Sequence, residues 1–373
     1  MIYLDYSATT PVDPAVLARF CQAEAAFPGN PNARHRVGRE AQEELCRITA
    51  SIAGLLEVIP EEIIYTSGAS ESNNTAIKGL VRAYRHVGRH IISTPLEHSS
   101  VSGCLTVLQE QGYEIDLVDI RRDGTVDTAH LKYLLRKDTV LAAICAVDSE
   151  LGTIQPIVEI AALLRQGTSC RLHVDATQAV GKVSLDLSLA DTVSLAPHKF
   201  YGLKGSGLLI KRTGTSLEPL IHGGTSTTIY RSGTPALALA AGLEAALELA
   251  LHQLNERTVQ VQEKNRALRE AIGAYPKVRI NSPLEAVPHI LNLSVQGVKA
   301  GVFQQALDEE GVCVSVKSAC AAEGTPSRAV FAVSRDRKNA LSSWRISLSH
   351  LTTEEELQRF LEAFDRCYQA LCR

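Results

Sequence analysis

Residues 194–207 read SLAPHKFYGLKGSG. A β-prone run, DTVSLA (191–196), stops at Pro197, and His198 and Lys199 follow at once. Three glycines come next, with Lys204 between the first two. Glycines beside a lysine suggest a phosphate cradle. A lysine at the point where a buried strand leaves its sheet suggests a nucleophile. A lysine among apolar neighbours loses part of its proton affinity and can form a Schiff base. The plain alternative is a solvated lysine on a loop.

Working outward, short apolar runs alternate with helical stretches. EEIIYT (61–66), RHIISTP (89–95), TVLAAICAV (139–147), CRLHVDA (170–176) and DTVSLA each precede a helix-like segment or a turn. That rhythm predicts a mostly parallel sheet covered by helices on both faces. PALALAAGLEAALELALHQL (235–254) reads as one long helix leading out of that unit. After Tyr275 the texture changes to shorter strands and helices. It closes with TTEEELQRFLEAFDRCYQAL, where Thr353 and Glu356 have capping-box spacing. We expect an α/β protein with a large domain over 15–250. A smaller α/β domain is expected from 1–14 together with 251–373.

The whole-chain properties are ordinary. The chain has 373 residues, 45% apolar and 21% charged, with a net charge of −3. Such a charge gives no reason to invoke nucleic acid or an anionic membrane. No run approaches the roughly 20 apolar residues of a spanning helix. The start, MIYLDYSATTPVDP, lacks the regions of a signal peptide. A cytoplasmic location is therefore expected. The nine cysteines are scattered and form no CxxC pair, which argues against a disulfide framework and a structural zinc site. Most are expected to be small buried hydrophobes.

Four features carry chemistry, each at the end of a predicted strand. In YTSGASESNN, Ser67-Gly68-Ala69-Ser70 opens a helix whose free amides suit a phosphate; an ordinary N-cap fits as well. His98, in STPLEHSSV, can stack on a flat cofactor or move protons, or simply fill a structural place. Asp175, in HVDATQAVG, suits a protonated ring nitrogen of the pyridoxal phosphate kind, with Gln178 beside it; it also suits a helix cap. Lys199 comes 24 residues later. Their joint order supplies a phosphate anchor, a ring stacker, a pyridinium partner and a Schiff-base lysine.

With these residues in that order, the sequence resembles the NifS/IscS cysteine desulfurases, pyridoxal-phosphate enzymes of the class V aminotransferase group with fold type I. The likeness runs nearly end to end. It is carried by YLDYSATTPVDP, GNPNARHRVGREA, YTSGASESNNTAIKG, STPLEHSSV, ELGTIQPI, HVDATQAVGK, HKFYGLKGSG, RSGTPA, SVKSACA and WRISLSHLTTEEEL. The resemblance implies that Lys199 holds the cofactor and that His98 stacks on its ring. It pairs Asp175 with the ring nitrogen and Gln178 with the phenolic oxygen, and puts Ala69, Ser70 and His198 on the phosphate. Thr234 would reach the phosphate of a partner subunit, which implies a homodimer. Arg345 would clamp the substrate carboxylate. Cys320 would attack the sulfur of bound L-cysteine, giving alanine and a persulfide that passes to a protein acceptor. That cysteine is expected on a loop of about 315–340 that includes Gly324 and Ser327, with Cys313 in the core.

The likeness also has breaks. Asp148-Ser149-Glu150 stands where the family has Asn-Asn-Glu, so Ser149 takes a position that helps hold substrate and ring. Ala196 replaces a serine whose hydroxyl contacts the cofactor phosphate. Thr225 to Ile229 lack the family's Glu-Arg pair, and Lys317 stands at a usual glycine, where it would lower the thiol pKa of Cys320. These breaks leave open a selenocysteine lyase or another β-eliminating relative, and a PLP-fold scaffold acting through partner binding.

Overall fold

The computed structural model describes residues 1–166, 168–317 and 325–372. In chain order the strands are β1 (Ile2–Tyr3), β2 (Ile63–Thr66), β3 (His90–Ser93), β4 (Glu114–Leu117), β5 (Thr139–Cys145) and β6 (Arg171–Asp175). They continue as β7 (Thr192–Leu195), β8 (Gly207–Lys211), β9 (Val278–Ile280), β10 (Ile290–Val295), β11 (Val312–Cys313) and β12 (Ser343–Ser347).

Seven of these form one sheet in the order β2-β8-β7-β6-β5-β3-β4. Pairing is parallel from β7 across to β4 and antiparallel on both sides of β8. Every residue of β5 is buried, which explains why TVLAAIC is apolar throughout rather than alternating. Register places Cys145 beside Asp175 and Asp175 beside Ser194, so the strands end together at one edge. β4 was not anticipated. Its sequence, EIDL, is polar and partly exposed because it is the outer strand and needs only one covered face.

The apolar segment after Pro235 is not one helix to residue 254. A helix over Leu237–His252 ends, and a second over Leu254–Gly273 leaves it at 65°. This bend leads to a second core, built on the antiparallel set β12-β10-β9 and the parallel pair β1-β11. Phe303 stacks on Trp344 at 5.4 Å and meets Phe364 at 5.3 Å. The helix Glu354–Leu371 packs Phe360 and Phe364 into this core. It opens with the anticipated capping box: the Glu356 amide donates to Thr353 Oγ1 at 3.1 Å, and the Thr353 amide donates to Glu356 Oε2 at 2.9 Å.

The first residues run between the two cores. Ile2 and Leu4 are buried in the second. Thr10 then reaches the first, where its hydroxyl donates to the His198 carbonyl at 3.0 Å and accepts from the Tyr201 amide at 2.7 Å. Among the described cysteines, Cys104, Cys145, Cys170 and Cys367 are buried, but Cys21 and Cys46 lie exposed on helices. Cys313 is only partly covered because β11 is short and pairs on one side.

Candidate active site

The strand ends surround a cavity of about 470 Å³. Its wall includes Ala69, Ser70, His98, Ser149, Asp175, Gln178, His198, Lys199 and Arg345. Ser7, Ala8, Cys145, Thr177 and Ser206 also face it. Residues far apart in sequence meet here because each follows a strand that stops at the same edge.

At one end lies the helix Ala69–Ala83, capped by Gly68, which has no side chain to bond the first amides. Those amides and the helix dipole favour an anion. Close packing explains the glycines: a Cβ on Gly207 would sit 2.5 Å from the Gly68 Cα. Glu71 is turned aside, accepting from Arg231 Nε at 2.9 Å and from the Ser67 amide at 2.8 Å. His198 is held neutral, its pKa lowered to about 4 by burial and by Lys199, Lys204 and Lys182. It therefore serves an anion as a hydrogen-bonding group rather than as a cation.

Lys199 ends a short turn, Pro197–Lys199, that follows β7. Its Nζ donates to the carbonyls of Ser7 and Ala8, both at 2.7 Å. Gln178 Nε2 donates to the same Ser7 carbonyl at 2.9 Å, and Lys182 Nζ donates to Gln178 Oε1 at 2.8 Å. Lys182, the last residue of the quoted HVDATQAVGK, had no role assigned from the sequence. Burial, with the charges of Lys199 and Arg345, lowers its pKa to about 7.

Asp175 is joined to His98 through a buried amide. Asn73 Nδ2 donates to Asp175 Oδ2 and to Ser100 Oγ, each at 2.8 Å. Ser100 Oγ lies 2.9 Å from His98 Nδ1, and the Ser100 amide donates to that nitrogen at 3.2 Å. His98 therefore carries its proton on Nε2, and burial lowers its pKa. On the other side Asn73 Oδ1 lies 3.0 Å from His173 Nε2. The Thr177 amide donates to Asp175 Oδ1 at 2.9 Å. The signal for Asn73 lay in the quoted ESNN, at the turn of the helix that faces the sheet.

Arg345, on β12, is almost fully buried and already engaged. Nη2 pairs with Asp5 Oδ1 at 2.9 Å, and Nη1 donates to the Ser149 carbonyl at 2.6 Å. Ser149 thus meets Arg345 through its backbone. Asp5 was missed, although it lies in the quoted YLDYSATTPVDP. Two other positions singled out by the resemblance fall outside this wall. Ala196 is fully buried and does not line the cavity. Thr234 lines an adjoining cavity of about 100 Å³, which shares Ser67, Gly205 and Ser206 with the larger one. Cys320 and Gly324 lie outside the described residues. At the edge of that stretch, Lys317 Nζ donates to Thr325 Oγ1 at 2.6 Å.

Comparison with known proteins settles the ancestry. The family model for class-V aminotransferases matches residues 2–360. The chain belongs to the class-V aminotransferases. Within that family it is similar to a protein of Proteus mirabilis named cysteine desulfurase IscS, 38% identical over 97% of this chain and 91% of the relative. A solved structure titled NIFS-like protein superposes with a TM-score of 0.92 at 33% identity, covering 99% of this chain and 100% of that one. Another, titled SspA in complex with cysteine, has a TM-score of 0.82 at 30% identity over 95% of this chain and 100% of that one.

Class-V aminotransferases use pyridoxal phosphate, and the residues of this cavity fit it. The uncapped helix start at Ala69 and Ser70 would take the phosphate, with His198 beside it. Asp175, fixed by two donors, would hold the ring nitrogen. Lys199 would supply the amine, His98 the flat imidazole and Gln178 an amide for the ring oxygen.

Proposed function

We propose that this chain is a cysteine desulfurase: L-cysteine enters, L-alanine leaves, and the sulfur is carried away as a persulfide on Cys320. The observation that carries the reading is the convergence of Lys199, Asp175, His98 and Arg345 on one cavity. Pyridoxal phosphate, when bound, withdraws electrons from an amino acid and loosens the bonds at its α- and β-carbons. The chain does the rest. Arg345 is a buried cation whose Nε lacks a partner, positioned to receive a carboxylate. Asp5 and the Ser149 carbonyl keep its guanidinium in one orientation. His98 presents an N–H at Nε2, anchored through Ser100 and Asn73 to Asp175. In the sulfur step the Cys320 thiolate attacks the substrate sulfur, the carbon–sulfur bond breaks, and the electron pair and a proton go to the carbon fragment that becomes alanine.

The active form in this reading is a homodimer, with Thr234 of each chain completing its partner's phosphate site. Thr234 supports this by its exposed position on the wall of the adjoining cavity. A protein acceptor then takes the sulfur from Cys320, for iron–sulfur cluster assembly or another sulfur transfer.

The test is incubation of the holoenzyme with ³⁵S-labelled L-cysteine, followed by peptide mass spectrometry. Cys320 should gain one sulfur, and Cys320→Ala should abolish both the label and alanine formation. Full sulfur release by Cys320→Ala under reducing conditions would overturn the assignment.

A further inference from the structure

Behind Lys199, on the side facing the second core, lies another cavity. It shares Ser7 and Lys199 with the first and has a volume of about 10 Å³. That admits one particle of roughly water size. Its wall gathers basic side chains from both cores: Lys182 and Lys199 from the sheet side, Arg257 from the helix Leu254–Gly273, and His289 and His350 from beyond it. No carboxylate side chain lines it among the described residues.

Two of these side chains are more than nine-tenths buried and lack partners for nitrogen atoms. His289 is 6% exposed, and its Nδ1 has no hydrogen bond. Arg257 is 7% exposed, and its Nε has none either. Its guanidinium lies 5.0 Å over the ring of Tyr201, a partner that balances little of its charge. Asp13 and Glu256 are near enough to be felt by Arg257, yet neither forms an ion pair with it among the described residues. An unpaired buried cation is destabilising, so sites of this kind recruit a counter-charge.

The wall is also held firmly. Tyr201 sits at a φ of +68°, a strained conformation for a non-glycine residue. Its amide is fixed by Thr10, and its hydroxyl bonds the hydroxyl of Ser349 at 2.5 Å. The ring of His350 stands against it at 4.7 Å. The strain is maintained by residues from two distant parts of the chain, as expected of a shaped site rather than a packing gap.

From these observations we propose that this cavity binds a single small monovalent anion of the halide class, held by Arg257, His289 and Lys182 between the two cores. The size admits chloride or bromide after side-chain shifts of a few tenths of an ångström and excludes organic anions. Burial keeps Lys182, His289 and His350 at lowered pKa values, the condition that a counter-anion relieves. The anion would join the two cores at the back of the lysine that holds the cofactor.

The direct test is a crystal of the holoenzyme grown in sodium bromide, with diffraction data collected at the bromine edge. An anomalous peak within hydrogen-bonding distance of Arg257 and His289 is expected. Its absence there, with a water in its place, overturns the proposal. In solution, the holoenzyme should melt at a higher temperature in sodium chloride or bromide than in sodium gluconate of equal ionic strength. Arg257→Met should abolish that difference while still unfolding cooperatively. An equal chloride effect in Arg257→Met would also sink the idea. If that variant does not fold, His289→Leu takes its place, and the bromide crystal stands independently of either.

Discussion

Replacing Lys182 with methionine removes a buried amine while keeping most of its apolar stem. In the folded chain that amine has a pKa of about 7, against an ordinary value of 10.5. The cause is burial first, then repulsion from Lys199 and Arg345. That lowering corresponds to about 5 kcal/mol, the cost of keeping Lys182 charged in place. Below pH 7 the amine is protonated whether the chain is folded or unfolded, so the whole cost is present. Between pH 7 and 10.5 the unfolded chain holds the proton and the folded one does not, so stability rises with pH. From pH 7 to pH 9 this amounts to about 2 kcal/mol. Against it, methionine leaves Gln178 Oε1 without its donor, which costs about 1–3 kcal/mol at every pH. Urea unfolding of the cofactor-free protein in gluconate buffer, at pH 7 and pH 9, measures both. Wild type should gain stability over that interval relative to Lys182→Met by about 2 kcal/mol. If the two proteins change in parallel, Lys182 is not a buried amine titrating near neutrality and the reasoning fails.

Other perturbations test the same site from different sides. Gly207→Ala sets a Cβ 2.5 Å from the Gly68 Cα, where only backbone can yield. We expect a loss of about 1–3 kcal/mol in unfolding free energy and weaker pyridoxal-phosphate binding, read by absorbance titration. Asp5→Asn removes the counter-charge 2.9 Å from Arg345. The protein should lose stability, and L-cysteine should bind with a higher KM because the guanidinium is no longer held in one orientation; an unchanged KM would contradict the clamp geometry. Glu97 is fully enclosed, and burial pushes its pKa up to about 8. The folded chain keeps a proton that the unfolded chain releases, so this group contributes a loss of roughly 3 kcal/mol between pH 5 and pH 8, read as the difference between wild type and Glu97→Gln. Glu97→Gln should flatten that fall in pH-dependent denaturation.

The strand ends were legible because each apolar run is followed at once by a residue that cannot continue it usefully. DTVSLA meets Pro197, EEIIYT meets Ser67-Gly68, and HVDA meets a polar turn. Those breaks locate Lys199, Ser70 and Asp175 without any knowledge of pairing. What local pattern could not give was the partnership of distant residues. Asp5 and Arg345 are 340 residues apart, and nothing near either marks the other. Asn73 and Lys182 stood in plain view inside quoted motifs, but their importance comes from burial beside Asp175 and Gln178. β4 was missed for the opposite reason. An edge strand needs little apolar surface, so EIDL resembles a loop until β3 is seen beside it.

The opening segment of the chain has a practical consequence for anyone who reshapes this protein. Within ten residues it places Ile2 and Leu4 in one core, Asp5 on Arg345, the Ser7 and Ala8 carbonyls on Lys199, and Thr10 on the turn beyond it. Trimming it would free Arg345 and Lys199 of these partners in one cut and remove Ile2 and Leu4 from the second core. Met1 itself is 88% exposed, so an affinity tag can be added ahead of it. The segment behaves as a drawstring: shortening it opens the site.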